Sequence, residues 1–282
     1  MNNPKKILIT YGDYEWKNAK RRIKREAQEL HFFDKVIAYS PKNLSKEVKQ
    51  SQLYQYKKGG GYWIWKPYII RKTIERYPNA TIFYCDAGCT LLNSPKWEEL
   101  YEKSQNKQVI LCRYDDDGVC LSWQKYFGCS SPKAKHWTKS ETLGFFNNQF
   151  GIGEWVETNI ILAGFIVMRG TNPLLDEWLT LSTDHPELIK DPETGENDNN
   201  DMIQHRHDQI ILTALAWKHR NNEKVDVLAE RYVNDDERPI VASRLKYCPG
   251  RIKRALYPIV HTLTGERTYQ RIKNLFRKSY NE

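Results

Sequence analysis

Long hydrophobic runs are missing from this chain: none of its 282 residues falls in a stretch near the roughly 20 apolar residues that cross a bilayer. The mean hydropathy of −0.73 agrees, so an integral membrane protein is not expected. Residues 1–6 lead into the brief apolar run Ile7-Leu8-Ile9, too short for a signal-peptide core and followed by no small-residue cleavage site. The expected compartment is the cytosol. Paired C-x-x-C spacing is also missing. The six cysteines (Cys85, Cys89, Cys112, Cys120, Cys129 and Cys248) are scattered, which excludes the usual zinc patterns and predicts reduced, partly buried thiols. There is no internal repeat, no low-complexity linker, and neither a Walker loop nor a dinucleotide fingerprint.

Aromatic residues, by contrast, are abundant. Nine Trp, 17 Tyr and nine Phe are ample for a sizeable core at this length. The net charge of +9 is unevenly spread: residues 244–282 carry ten basic and two acidic side chains, leaving the rest of the chain almost neutral. The chain therefore reads as a catalytic-sized domain over 1–243 and a basic C-terminal segment over 244–282.

Residues 5–11 (KKILITY) read as a buried strand ended by Gly12-Asp13, and 35–39 as a second strand before Pro41. Residues 80–84 (ATIFY), 108–112 and 159–168 (NIILAGFIVM) supply three further strands. Helical spacing covers 17–30, 62–77, 97–105, 173–182 and 208–219, with Pro67 near a helix start where proline is tolerated. The polar stretch 191–201 (DPETGENDNND) reads as an exposed loop. Strands alternating with helices predict an α/β fold with a mostly parallel central sheet. Ligands of such sheets bind beyond the carboxyl ends of the strands, where Asp86 stands.

Asp86-Ala87-Gly88 places a carboxylate at a strand end with a glycine beside it. Such a group suits a ribose hydroxyl or a metal-bridged diphosphate, and also suits an ordinary turn. Gly59-Gly60-Gly61-Tyr62-Trp63-Ile64-Trp65-Lys66-Pro67 sets three glycines before a helix start, where free backbone N–H groups attract phosphate. Lys66 in that first turn opposes the helix dipole, a placement that a bound anion explains better than stability does. Trp63 and Trp65 suit stacking on a base or sugar as well as core packing. His205-Arg206-His207-Asp208-Gln209 heads another helix, with Asp208 as a cap or as a general base toward an acceptor hydroxyl.

Taken in order, the early Y-G-D, G-G-Y-W-x-W-K-P, the strand ending in D-A-G-C, W-T-K-x-E, A-G-F-I-V-M-R and H-R-H-D-Q resemble a family of bacterial GT-A-fold glycosyltransferases of the capsule and lipopolysaccharide type. The likeness covers residues 5 to about 220. It implies a GT-A-like single domain and a hexosyl transfer from a nucleotide sugar, UDP-galactose first, to a saccharide or lipid-linked acceptor. The D-A-G segment looks like a variant of the D-x-D motif. By that resemblance Asp86 contacts the donor ribose, a Mn²⁺ or Mg²⁺ ion, or both. Tyr11, Trp65, Lys66, Gly88, Lys139, Ala163 and Gly164 then belong to the donor site, and Asp208 and Gln209 to the reacting centre. The second Asp of the motif is replaced by Gly88, so a metal needs another ligand, with His261, His205 and His207 as candidates.

Helical spacing over 266–280 puts Tyr269, Ile272, Leu275, Phe276 and Tyr280 on one arc and Arg267, Arg271, Lys273, Arg277 and Lys278 on the other. Such a helix either lies on an anionic membrane surface at the inner face of the cell membrane or packs on the domain with a solvated basic face. No motif supports nucleic-acid binding. A sugar nucleotidyltransferase is the competing enzyme class, but it needs a glycine-rich, Arg-containing loop where this chain has Tyr11-Gly12-Asp13-Tyr14. A non-enzymatic membrane-binding protein is the other alternative.

Overall fold

The computed structural model describes residues 5–115, 131–151, 153–192, 201–229 and 237–246. His261 and the amphipathic 266–280 segment lie outside the described residues, as does most of the polar stretch 191–201. A six-stranded sheet organises the chain, in the order β2(Lys35–Tyr39)-β1(Lys6–Tyr11)-β3(Thr81–Cys85)-β6(Ile161–Arg169)-β5(Val109–Arg113)-β7(Val225–Ala229). The pairs β1–β2, β1–β3 and β5–β7 are parallel, and only β6 runs against its neighbours. This is the expected α/β class with a mostly parallel sheet. Two short strands, β4(Thr90–Leu91) and β8(Ile240–Val241), pair separately and draw 240–246 onto the loop that follows β3.

Both faces of the sheet are covered, which is why its central strands read as unbroken apolar runs. The pleat sends Ile7, Ile9, Ile82, Tyr84, Ile166 and Met168 into one core and Leu8, Phe83, Cys85 and Val167 into the other. Helix α1(Lys17–Glu29) lays Ile23 and Ala27 on the second core, with Ala19 buried on the same stripe, while Lys17, Arg21, Lys24 and Glu29 face water and Arg22 is buried. Helices α2(Trp65–Arg76), α5(Pro173–Asp184) and α6(His207–Lys218) cover the first core, α3(Lys96–Lys103) joins α1 on the second, and α4(Ser140–Phe150) packs beside the first. Asn172 caps α5 by accepting the Leu175 N–H at 2.9 Å, with Pro173 at the first helical position. The described cysteines Cys85, Cys89 and Cys112 are buried free thiols. Among the described residues no helix is long and apolar enough to cross a membrane.

One expectation fails at the glycine triplet. The helix expected over 62–77 begins at Trp65, because Gly59, Gly60, Gly61, Tyr62 and Trp63 all have φ between +51° and +95°. The chain makes a left-handed turn, a state that costs roughly 1–2 kcal/mol for each non-glycine residue in it and explains the clustering of glycine. Its N–H groups are spent within the turn: Gly60 on Lys57 O, Gly61 and Tyr62 on Lys58 O, and Trp63 on Gly59 O. The N–H groups of Gly60 and Gly61 are thus not free to hold a phosphate. The work of the triplet is to swing Trp65 and Lys66 inward.

Candidate active site

Asp86 leaves the end of β3 where the parallel strands terminate. Its N–H donates to Gly164 O at 2.9 Å, and its carbonyl receives the Cys89 N–H at 2.9 Å, which closes a tight turn. The side chain keeps 40% of its surface exposed. The Tyr84 hydroxyl donates to Oδ1 of Asp86. Burial, reinforced by the Asp86 charge, pushes the Tyr84 hydroxyl well above its usual range, so it remains a donor. Gly164 is a glycine for steric reasons: a Cβ there would stand 3.2 Å from Asp86 Oδ2.

Behind Asp86 lies a buried ion pair. Lys66, 2% exposed, donates from Nζ to Asp208 Oδ2 at 2.7 Å and to the Ala163 carbonyl at 3.0 Å, and stands 3.7 Å from Asp86 Oδ1. Burial disfavours the ammonium, yet Asp208 and Asp86 together outweigh it and hold Lys66 above its usual pKa. Asp208 is raised to about 6 by burial, with Lys66 opposing the rise. Gln209, next along α6, donates to Ile161 O, and Thr213 Oγ1 receives the Ile161 N–H at 3.0 Å. These bonds lock the start of β6 to α6.

The structure therefore brings Asp86, Lys66, Ala163, Gly164 and Asp208 to one place, with Gln209 at its edge. Tyr11 and Trp65 lie alongside, stacked on each other at 3.9 Å with an interplanar angle of 20°. The Trp65 Nε1 donates to Gly59 O at 2.9 Å and both residues are buried, so this ring packs in the core. Lys139 is engaged by other residues: its ammonium pairs with Glu141 at 2.8 Å and its N–H reaches His205 Nδ1 at 3.3 Å. The histidines are structural. His205 Nε2 bonds Leu188 O at 2.9 Å and His207 Nδ1 bonds Ile189 O at 2.8 Å, pinning the chain before Asp191.

Burial holds both rings neutral, lowering His205 to about 3 and His207 to about 4 from 6.5. The folded state thus refuses two protons that the unfolded chain accepts below pH 6.5. Their contribution to stability is full above that pH and lost as pH falls toward 4. Asp208, raised from 3.8, works the opposite way over part of the window, so the net slope there is near one proton. Urea unfolding should show stability falling from pH 6.5 to 4. His207→Asn, which keeps a donor to Ile189 O, should flatten that slope.

Arg22 carries no signal of its role in the charged pattern of 17–30. Fully buried in α1, it donates to Ala87 O at 3.0 Å, Cys89 O at 2.7 Å and Glu26 Oε1 at 2.8 Å. It ties down the loop that carries Asp86. Cys89 in that loop is pushed up to about 12, first by burial and then by the Asp86 charge, and is no nucleophile at neutral pH.

The fit of a divalent ion follows from these donors. Asp86 offers one exposed carboxylate with an ammonium 3.7 Å away, and Asp208 is committed to that ammonium. Gly88 replaces a second motif carboxylate, and no group of three His, Cys, Asp or Glu side chains suited to a metal occurs among the described residues. The described donors do not fit Mn²⁺ or Mg²⁺.

No protein-family model matches the chain, and no curated protein matches its sequence. Solved structures overlap it distantly. A glycosyltransferase involved in glycosylation of the major capsid of PBCV-1 covers 90% of this chain and 98% of its own at 11% identity and a TM-score of 0.40. Mouse xyloside xylosyltransferase 1, in its apo form, covers 79% of this chain and 85% of its own at 13% identity and a TM-score of 0.42. The galactosyltransferase LgtC, with donor and acceptor sugar analogs, covers 94% of each chain at 12% identity and a TM-score of 0.38. Overlaps this loose assign no chemistry to the present chain.

Proposed function

We propose that this chain is a glycosyltransferase that moves a hexose from a nucleotide sugar to a saccharide or lipid-linked acceptor in cell-surface polysaccharide synthesis. The observation that carries the reading is the half-exposed Asp86 carboxylate at the strand ends, fixed by Tyr84 and backed by the buried Lys66–Asp208 pair. The ordered set of motifs resembling GT-A transferases supports it, as does a sheet with one antiparallel strand beside the site.

In this reading the Asp86 carboxylate accepts hydrogen bonds from the donor's ribose hydroxyls. The bond from the anomeric carbon to the diphosphate oxygen breaks, with its electron pair leaving on the diphosphate. An acceptor hydroxyl oxygen forms the new bond to that carbon, and its proton passes to the departing diphosphate. Asp208 acts through Lys66, because its side chain is only 8% exposed and already bonded to the ammonium. UDP-hexoses are the first donors to try. On the acceptor side, a groove of about 590 Å³ between 52–56 and 186–190 presents Tyr56, 49% exposed, among Gln52, Gln55 and Glu187. An aromatic face ringed by amides and a carboxylate suits a sugar. Ring contacts through Tyr62 connect Tyr56 to His207, the neighbour of Asp208. The basic segment 266–280 is the part that would meet an anionic membrane carrying a lipid-linked acceptor.

Asp86→Ala should lower transfer from, or hydrolysis of, a UDP-hexose by about 10²–10³-fold, with circular dichroism and melting temperature unchanged. Full activity in that variant overturns the assignment.

A further inference from the structure

Gly88 stands where the motif's second carboxylate is expected, and the structure shows what occupies that place. A Cβ on Gly88 would lie 3.3 Å from the Arg244 Cα and 3.2 Å from the Trp16 ring. The backbone of 243–245 packs directly against it. Leu245 N–H donates to Gly88 O at 3.1 Å, the Ser243 hydroxyl donates to the same oxygen at 2.9 Å, and Thr90 Oγ1 lies 2.7 Å from Ser243 Oγ. The β4–β8 pairing holds both segments in register. The place of a side chain at position 88 is therefore taken by a chain segment with Arg244 at its centre.

Arg244 is unusual in two respects. Its φ is +50°, a left-handed conformation that a long side chain adopts at a cost. It is exposed, and it makes no hydrogen bond or ion pair among the described residues. By contrast Lys246, two residues on, is paired with Glu15 at 3.4 Å and lies over the Trp16 ring. An exposed arginine without a partner among the described residues, its backbone strained and packed against the loop that carries Asp86, has the form of an anion-binding group. Guanidinium geometry matches the two oxygens of a phosphate.

The geometry points to Arg244 as the cation that receives the diphosphate of a nucleotide sugar, in the place a divalent ion takes beside a full D-x-D. This rests on the glycosyltransferase reading and names its diphosphate-binding residue. Charge developing on the leaving nucleoside diphosphate is met by the guanidinium, and Gly88 is required so that the Arg244 backbone can come close.

Calorimetry on the full chain with UDP, UMP and uridine, each in EDTA and in Mn²⁺, tests it. The wild type should bind UDP in EDTA at least tenfold more tightly than UMP, with little change in Mn²⁺. Arg244→Asn, a residue that tolerates positive φ, should weaken UDP about 10- to 100-fold and leave uridine unchanged. Arg244→Lys should recover part of that loss. Lys246→Gln, the control for general surface charge, should change UDP binding less than threefold. UDP binding that appears only with Mn²⁺, or an equal loss in the Arg244 and Lys246 variants, overturns this inference and leaves the parent reading standing. No binding of UDP, GDP, CDP or ADP to the wild type under any condition overturns both.

Discussion

Lys66→Met should cost about 3–5 kcal/mol of folding stability, a large share of the 5–15 kcal/mol that holds a typical domain. The ammonium is 2% exposed and its partner Asp208 is 8% exposed, so the variant leaves a carboxylate in the interior with no cation. Methionine fills much of the same volume, so the loss is electrostatic more than steric. The pH dependence identifies the cause. Asp208 already sits at about 6 with Lys66 opposing the rise, and removing Lys66 lets burial carry it higher. An acid whose folded pKa lies above its unfolded value contributes stability at low pH that is lost as pH rises between the two. The deficit of the variant should therefore be small near pH 4 and full by about pH 8, measured by urea unfolding at each pH. Lys66→Met with Asp208→Leu removes both charges and should regain most of the stability. Transfer activity should stay lost in the double variant, because Asp86 no longer has the ammonium beside it. A deficit that does not vary with pH would mean that packing, not charge, is what Lys66 supplies.

The parts of this fold legible in the sequence were those governed by local pattern. KILITY and TIFYC are strands because five of six and all five of their residues, respectively, are buried between two helical layers, and runs of that kind leave no ambiguity of face. Asp86 could be placed at a strand end for the same reason. The glycine triplet was visible as a special backbone, but its meaning was not. Whether glycines before a helix leave N–H groups free or fold them into a left-handed turn depends on φ values, and those follow from where Trp63 and Trp65 must pack. Contacts between residues far apart in sequence were beyond reach. Nothing in the charged repeat of α1 distinguishes Arg22, which is buried, from Arg21 or Arg25. Nothing near Gly88 announces that residues 243–245 will lie against it. The sequence marks Lys66 as a cation in an awkward place, but not that Asp208 and Asp86, 142 and 20 residues away, stand beside it.

Arg22→Leu should unfold the chain about as readily as loss of Lys66, and through a different route. The guanidinium satisfies two carbonyls, Ala87 O and Cys89 O, and pairs with Glu26, whose other oxygen receives the Leu91 N–H at 3.1 Å. Arginine alone offers enough donors in one plane to bind a carboxylate, a hydroxyl and two carbonyls from within a helix. Leucine leaves Glu26 uncompensated and two buried carbonyls without donors, each worth roughly 1–3 kcal/mol, so a loss of about 3–5 kcal/mol is expected. The second effect falls on the site. Ala87–Cys89 is the loop that sets the Asp86 carboxylate, and the Asp86 turn closes through the Cys89 N–H. Once stability is restored by lower temperature, Arg22→Leu should still show a higher donor KM, because the Asp86 carboxylate is no longer held at one angle to Tyr84. Arg22→Lys separates the two contributions. It keeps the charge opposite Glu26 but reaches fewer carbonyls, so it should recover stability more than donor affinity. If Arg22→Lys restores both to the same degree, the loop is held by charge alone, and the carbonyl bonds from Arg22 do not position Asp86.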